Sequence, residues 1–132
     1  MANFLGINYQ RDPMQAKLWN EFQSTLTPAQ TQARTAAQAS LKTFESELTP
    51  DQKAAQQKFQ LEKLEGAPKS IWQADQKAFV GTLNSQELAD RSSEGALHKT
   101  FMGTLSPEQK DLRGSAVGLR NATVLKQLDI NA

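Results

Sequence analysis

Four times in this 132-residue chain, a phenylalanine is followed four residues later by a leucine, and this recurrence restricts the fold more than any other feature. Residues four apart lie on one side of an α-helix, so each pair predicts an apolar helix face. Two of the pairs extend this spacing by a turn, through Leu18 and Leu97. The four pairs are Phe22 and Leu26, Phe44 and Leu48, Phe79 and Leu83, and Phe101 and Leu105.

The spacing of these pairs indicates an internal duplication. The steps between the four phenylalanines are 22, 35 and 22 residues, so the last two pairs repeat the first two after 57 residues. When residues 22–53 are superposed on residues 79–110, 12 of the 32 positions are identical, far more than unrelated sequences share by chance. We therefore predict two pseudo-repeated halves, residues 13–66 and 67–127.

Each of the four leucines is followed at once by a signal for the start of a helix. A residue with a short polar side chain comes first, and Gln or Glu stands three positions later, which is the pattern of a capping box. In three cases proline occupies the first helical position, where its missing N–H costs nothing. The four segments are Thr27-Pro28-Ala29-Gln30, Thr49-Pro50-Asp51-Gln52, Asn84-Ser85-Gln86-Glu87 and Ser106-Pro107-Glu108-Gln109.

Together with Asp12-Pro13 and Gly66-Ala67-Pro68, these signals predict six helices. The expected ranges are 13–25, 28–47, 50–65, 68–82, 85–104 and 107–127, and we find no alternating pattern long enough to predict a strand. Gly114 and Gly118 should each cost about 1 kcal/mol, so we expect the last helix to kink or fray there. The predicted fold is an all-α helical bundle with three helices in each half, and residues 13–132 form a single helical domain.

Composition narrows the function classes. A formal net charge of +1, without a block of either sign, gives no electrostatic reason to expect nucleic acid as a partner. No segment reaches the ~18 apolar residues of a membrane-spanning helix, so membrane insertion is not expected. The absence of cysteine removes thiol chemistry and disulfides.

The Leu-Thr-Pro-x-Gln segments carry a resemblance to a known family. Phe44 to Lys53 and Phe101 to Lys110 are similar to the LTxxQ signature of the Spy and CpxP family of bacterial envelope proteins, in its usual setting between two helices. The resemblance implies an all-helical, cradle-like dimer that holds unfolding proteins or senses envelope stress without ATP. On the residues themselves, we expect the leucines to lie in the core and the motif's polar residues to cap helices: Leu26, Leu48, Leu105, Thr27, Thr49, Ser106, Gln30, Gln52 and Gln109.

Residues that could support catalysis or bind metal are few. The lone histidine, His98, could shuttle protons or bind metal, but it superposes on Leu41 and we expect it to pack at the edge of the core. Glu45 with Glu47, or Glu62 with Glu65, could serve as acid and base, yet such spacings are common on solvated helix faces. We predict no enzymatic activity, no cofactor and no metal site.

Residues 1–12 form an N-terminal apolar arm with no helical period. One outcome is that the arm folds back onto this chain's own bundle. The other is that it docks into a partner or a second copy, and this makes its apolar residues the candidate partner-binding site. Those residues are Phe4, Leu5, Ile7 and Tyr9.

The most economical functional prediction is a non-enzymatic protein-binding or assembly protein, such as an adaptor, an inhibitor or a structural subunit. Its partner would be another protein or a second copy of itself, for instance in a homodimer. The alternative is an ATP-independent, Spy-like holdase chaperone or stress sensor. The lack of an encoded export signal favours the cytoplasm by default, whereas a mature or recombinant form would also fit the periplasm.

Overall fold

A computed structural model describes residues 2–131, and over this range the chain forms six α-helices and one short β-hairpin. The all-α fold and the six predicted helices are confirmed, with boundaries that differ by a few residues at most. None of the described helices is long and apolar enough to cross a membrane. The elements are β1 (Ala2–Phe4), β2 (Ile7–Tyr9), α1 (Pro13–Thr25), α2 (Pro28–Glu47), α3 (Pro50–Leu64), α4 (Lys69–Gly81), α5 (Ser85–Gly103) and α6 (Pro107–Asn131).

The helix ends are set by the capping residues that the sequence contains. Asp12 accepts a hydrogen bond from the backbone N–H of Met14, and Pro13 opens α1. Helix α3 ends at Leu64, and Gly66 follows its C-cap with a φ of +78°, a left-handed conformation that glycine adopts at little cost. The N–H of Ala67 then reaches back to the carbonyl of Glu62 at 2.9 Å, as in a Schellman motif.

The chain folds into two compact units. Unit 1 contains the residues up to Thr31 and those from Thr104 onward, and unit 2 is Gln32–Gly103. Helix α2 begins in unit 1 and continues into unit 2, whereas α5 ends at the last residue of unit 2. These boundaries differ from those of the proposed sequence repeats, 13–66 and 67–127, and the duplication stays a prediction.

Unit 1 is built on α1 packed against α6, with the hairpin added beside α6. Its most buried apolar side chains are Tyr9, Phe22, Leu105, Ala116 and Val124. Tyr9 also has a polar contact, because its hydroxyl accepts a 3.2 Å hydrogen bond from Nε2 of the buried Gln15. A satisfied hydroxyl lets the ring be buried without a desolvation cost.

Unit 2 has a core centred on Phe79, which is 1% exposed. Its ring meets that of Phe44 edge-on at 6.4 Å between centroids, and that of Phe59 at 5.7 Å with a tilt of 41°. Leu48 and Leu83 complete the cluster. Two of the predicted Phe-Leu pairs, from α2 and α4, therefore bury their apolar faces together.

The N-terminal arm differs from the prediction, because it contains regular structure. Ala2–Phe4 pairs antiparallel with Ile7–Tyr9, and the two-residue turn between them has φ of 53° at Leu5 and 81° at Gly6. Positive φ at both positions is the type I′ geometry favoured in hairpins. Strands of three residues are too short to show an alternating pattern, and Leu-Gly is not a usual sequence for this turn, so the hairpin could not be predicted.

Helix α6 also departs from the prediction of a kink, since it runs unbroken through Gly114 and Gly118. Both glycines are exposed, and a Cβ added at either would meet nothing within 4 Å.

We expect Gly114→Ala and Gly118→Ala each to raise the free energy of unfolding by about 1 kcal/mol, measured by denaturant titration. Gly66→Ala is the matched contrast: its positive φ should make that variant less stable, and a stabilised Gly66→Ala would contradict the backbone argument.

Candidate functional site

The residues of the predicted docking arm lie against unit 1. Tyr9 is buried, and Phe4, Leu5 and Ile7 are half-buried. The guanidinium of Arg120 lies 3.7 Å from the centre of the Phe4 ring, a cation–π contact, and burial lowers the pKa of that guanidinium. The arm is thus packed on its own chain, and Leu5 at the hairpin turn is the arm residue held in an unfavourable backbone conformation.

The predicted capping role of the LTxxQ-like segments is confirmed. In unit 1 the hydroxyl of Thr27 accepts from the N–H of Gln30, and Oε1 of Gln30 accepts from the N–H of Thr27. Ser106 and Gln109 make the same two bonds at the start of α6. Of the motif leucines, Leu48 and Leu105 are buried and Leu26 is half-buried.

A second role of the glutamines could not be read from the spacing. The side-chain amides of Gln30 and Gln109 donate to each other's Oε1 at 3.0 and 2.9 Å. Each Nε2 also donates to the carbonyl just before the other glutamine's capping box: Gln30 to Thr104, which follows α5, and Gln109 to Thr25, the last residue of α1. The starts of α2 and α6 are therefore joined by one buried, reciprocal network within unit 1.

Unit 2 has a corresponding network with one chemical difference. Thr49 and Gln52 form a capping box at the start of α3, and Asn84 and Glu87 form another at the start of α5. Nε2 of Gln52 donates to the carbonyl of Thr82 and to Oε1 of Glu87. A carboxylate has no N–H, so Glu87 cannot donate to Gln52. At the corresponding position, 57 residues earlier, Gln30 does donate to Gln109.

Unit 2 also exposes large apolar side chains that the sequence did not mark as functional candidates. Four side chains, between 37% and 48% exposed, lie on α2, α4 and α5: Leu41, Ile71, Leu88 and Leu97. Leu41 borders a groove of about 470 Å³ beside α2 and α3. The other residues that line the groove are polar or charged: Gln38, Lys42, Glu45, Ser46, Lys53, Gln56 and Gln57. The Phe-Leu spacing gives no sign of these four residues, because they do not repeat every four residues.

The lone histidine is not where the sequence predicted it. His98 is exposed on α5, so the prediction that it packs at the edge of the core is wrong. The superposed residue Leu41 is also exposed. Within residues 2–131, no group of three His, Cys, Asp or Glu side chains is placed to hold a metal ion.

The carboxylates pair differently from the sequence neighbours considered above. Glu47 meets Asp90 across α2 and α5, and Glu62 meets Asp75 across α3 and α4. Hydrogen bonding to Asp90, followed by desolvation, raises the pKa of Glu47. Hydrogen bonding to Asp75, followed by desolvation, raises the pKa of Glu62.

We compared the chain with protein-family models, with curated proteins and with solved structures, and none of the three comparisons found a match.

Proposed function

We propose that this chain is a non-enzymatic protein-binding protein, acting as an adaptor, an inhibitor or a subunit of an assembly. The observation that carries the proposal is the exposure of four large apolar side chains on unit 2, Leu41, Ile71, Leu88 and Leu97. Isolated exposed apolar residues are normal on a protein surface, but each of these would gain free energy if a partner covered it.

The polar side chains of the LTxxQ-like segments are already hydrogen-bonded within the chain, which supports a binding surface elsewhere. Gln30, Gln52 and Gln109 are buried, and their amides are engaged in capping and in the networks described above. Groups held in such bonds are not available to bind a substrate without breaking the helix starts. We therefore propose that the binding surface consists of exposed side chains and does not include the polar residues of the motifs.

The turn of the N-terminal hairpin is a separate candidate contact, on unit 1. Leucine at positive φ is disfavoured, and asparagine would suit the same position better. Strained positions are retained where the side chain has a use, so the Leu5 side chain is a candidate contact. Phe4 and Ile7 could add to it, whereas Tyr9 would contact a partner only if the hairpin opened.

The Spy-like holdase is the second candidate, and the groove beside α2 and α3 favours it. Leu41 stands there among Lys42, Glu45 and Lys53, and a surface that mixes apolar and charged groups suits weak binding of many unfolded clients. An adaptor would instead recognise one partner through one patch.

Site-specific crosslinking in the source cell tests the proposal. A photoreactive residue at position 41 or 97 should give one or a few discrete adducts, with a different protein or with a second copy, and the same residue at the exposed Thr35 of α2 should not. Adducts that are absent, or equal at position 35, would contradict a specific surface.

An aggregation assay separates the two candidates. The adaptor proposal expects that the chain does not protect several unrelated unfolding proteins at equimolar ratio. If it protects them all, and the Leu41→Gln, Leu97→Gln double variant protects them less, the holdase replaces the adaptor.

A further inference from the structure

The buried side-chain networks join the two proposed repeats through exchanged partners. In the 57-residue superposition, Gln30 corresponds to Glu87 and Gln52 corresponds to Gln109. In unit 1, Gln30 of the first repeat bonds to Gln109 of the second, at 3.0 and 2.9 Å. In unit 2, Gln52 of the first repeat bonds to Glu87 of the second, at 3.2 Å. The two networks are therefore the same contact made twice, with the roles of the repeats reversed.

The backbone carbonyls that accept from these glutamines follow the same rule. Nε2 of Gln109 donates to the carbonyl of Thr25 at 2.9 Å within unit 1. Nε2 of Gln52 donates to the carbonyl of Thr82 at 3.0 Å within unit 2. Thr25 and Thr82 are superposed residues, at the ends of α1 and α4. In both units, the glutamine at the start of one repeat's third helix bonds to the end of the other repeat's first helix.

Helix packing shows the same exchange. In unit 1, α1 of the first repeat packs against α6 of the second, and in unit 2, α3 of the first repeat packs against α4 of the second. The α3–α4 contact includes the rings of Phe59 and Phe79, and the ion pair of Lys58 with Asp75 at 3.7 Å. Ala116, which superposes on Phe59, is fully buried in unit 1. Each unit thus combines one repeat's first helix with the other repeat's third helix.

Contacts exchanged in this way are those of a symmetric dimer, in which residue i of one subunit contacts residue j of the other, and j contacts i. Here the two subunits are the repeats of one chain, and residues 65–68, between α3 and α4, are the loop that joins them. The hydrogen bonds, ring contacts and ion pair between the repeats do not depend on that covalent connection. A repeat from a second copy of the chain therefore satisfies them equally.

We propose that a partner of this chain is a second copy bound by exchange of repeats, in which the first repeat of each copy pairs with the second repeat of the other. The exchange opens the loop at residues 65–68 and restores every contact between repeats. The closed monomer is favoured at low concentration, because the short loop holds the two repeats at an effective concentration of about millimolar. This pairing uses the buried contacts between repeats and not the exposed apolar side chains of unit 2, so its test is independent of theirs.

Deletion of residues 65–68 from the full chain tests the exchange. The Cα atoms of Leu64 and Lys69 would then lie about 3.8 Å apart, whereas the axes of packed helices are about 8 to 10 Å apart. Helices α3 and α4 of one chain can then no longer pack against each other. We expect a folded dimer of twice the wild-type mass, measured by light scattering and far-UV circular dichroism. Insertion of a flexible Gly-Ser segment after Gly66 is the control, and this variant should remain monomeric.

A folded monomer, or a series of larger oligomers, from the deletion variant would overturn the proposal. Should the deletion variant not fold, mixing of two full-length chains decides. The chain has no cysteine, so Lys58→Cys in one copy and Asp75→Cys in the other can be joined by a short bismaleimide only between copies. Refolding the two together at millimolar concentration should give the crosslinked dimer, and refolding at micromolar concentration should not.

Lys77→Cys in place of Asp75→Cys is the matched control for this crosslink. Lys77 is exposed on the same helix, and two residues further along a helix is nearly the opposite side. We expect at least a several-fold lower yield of crosslinked dimer from position 77. Equal yields from the two positions, or no crosslinked dimer at either concentration, would overturn the exchange of repeats.

Discussion

Phe79→Ala should lower the free energy of unfolding by about 3 to 5 kcal/mol, among the largest losses expected from one substitution in this chain. The Phe79 ring is almost fully buried and meets two other aromatic rings, so truncation removes its transfer free energy and leaves a cavity between Phe44 and Phe59. Equilibrium denaturation, followed by far-UV circular dichroism, measures the loss.

Ile71→Ala is the matched control for this prediction. Ile71 lies on the same helix and is 48% exposed, so its truncation should change stability by no more than about 0.5 kcal/mol. A small loss in Phe79→Ala would contradict the assignment of Phe79 to the centre of unit 2.

The same measurement bears on the proposed duplication. Phe22 superposes on Phe79 after 57 residues and is fully buried in unit 1. If the two halves descend from one packing scheme, Phe22→Ala should also cost about 3 to 5 kcal/mol. A nearly neutral Phe22→Ala would show that the two positions are not energetically equivalent.

Local chemistry made most of the fold predictable. Capping residues, prolines at first helical positions and Phe-Leu spacing are properties of neighbouring residues, and each acts where it stands in the chain. For this reason the six predicted helices agree with the six helices of the structure. The kink predicted in α6 does not form. Gly114 and Gly118 lower the stability of the helix, but packing of Ala116 and Val124 on one face of the helix outweighs that loss.

The candidate sites depend on contacts between distant segments, and the spacing of residues along the sequence does not show such contacts. Gln30 interacts with Gln109, 79 residues later in the sequence, and Glu47 on α2 interacts with Asp90 on α5. The sequence indicates that each glutamine caps its own helix, and this local role is complete without the second one. Likewise the apolar arm could be recognised, while its hairpin and its contact with Arg120 could not.

Gln109→Leu should cost at least about 2 kcal/mol, because it removes more than one capping bond. The substitution deprives the Thr25 carbonyl of its donor, and it leaves the buried amide of Gln30 without its reciprocal partner. Unpaired buried polar groups cost about 1 to 3 kcal/mol each, and the Gln30 amide cannot turn to water without breaking its own capping box. Gln38→Leu, at an exposed position of α2, should have little effect.

A double-mutant cycle shows whether the two amides act as one unit. Gln30→Leu and Gln109→Leu together leave no unpaired amide, so we expect the double variant to lose less stability than the two single losses combined. The expected coupling is about 1 to 3 kcal/mol, read from urea titrations of the four proteins. Additive losses would mean that the two capping boxes stabilise α2 and α6 separately and that their 2.9 and 3.0 Å contacts contribute nothing in solution.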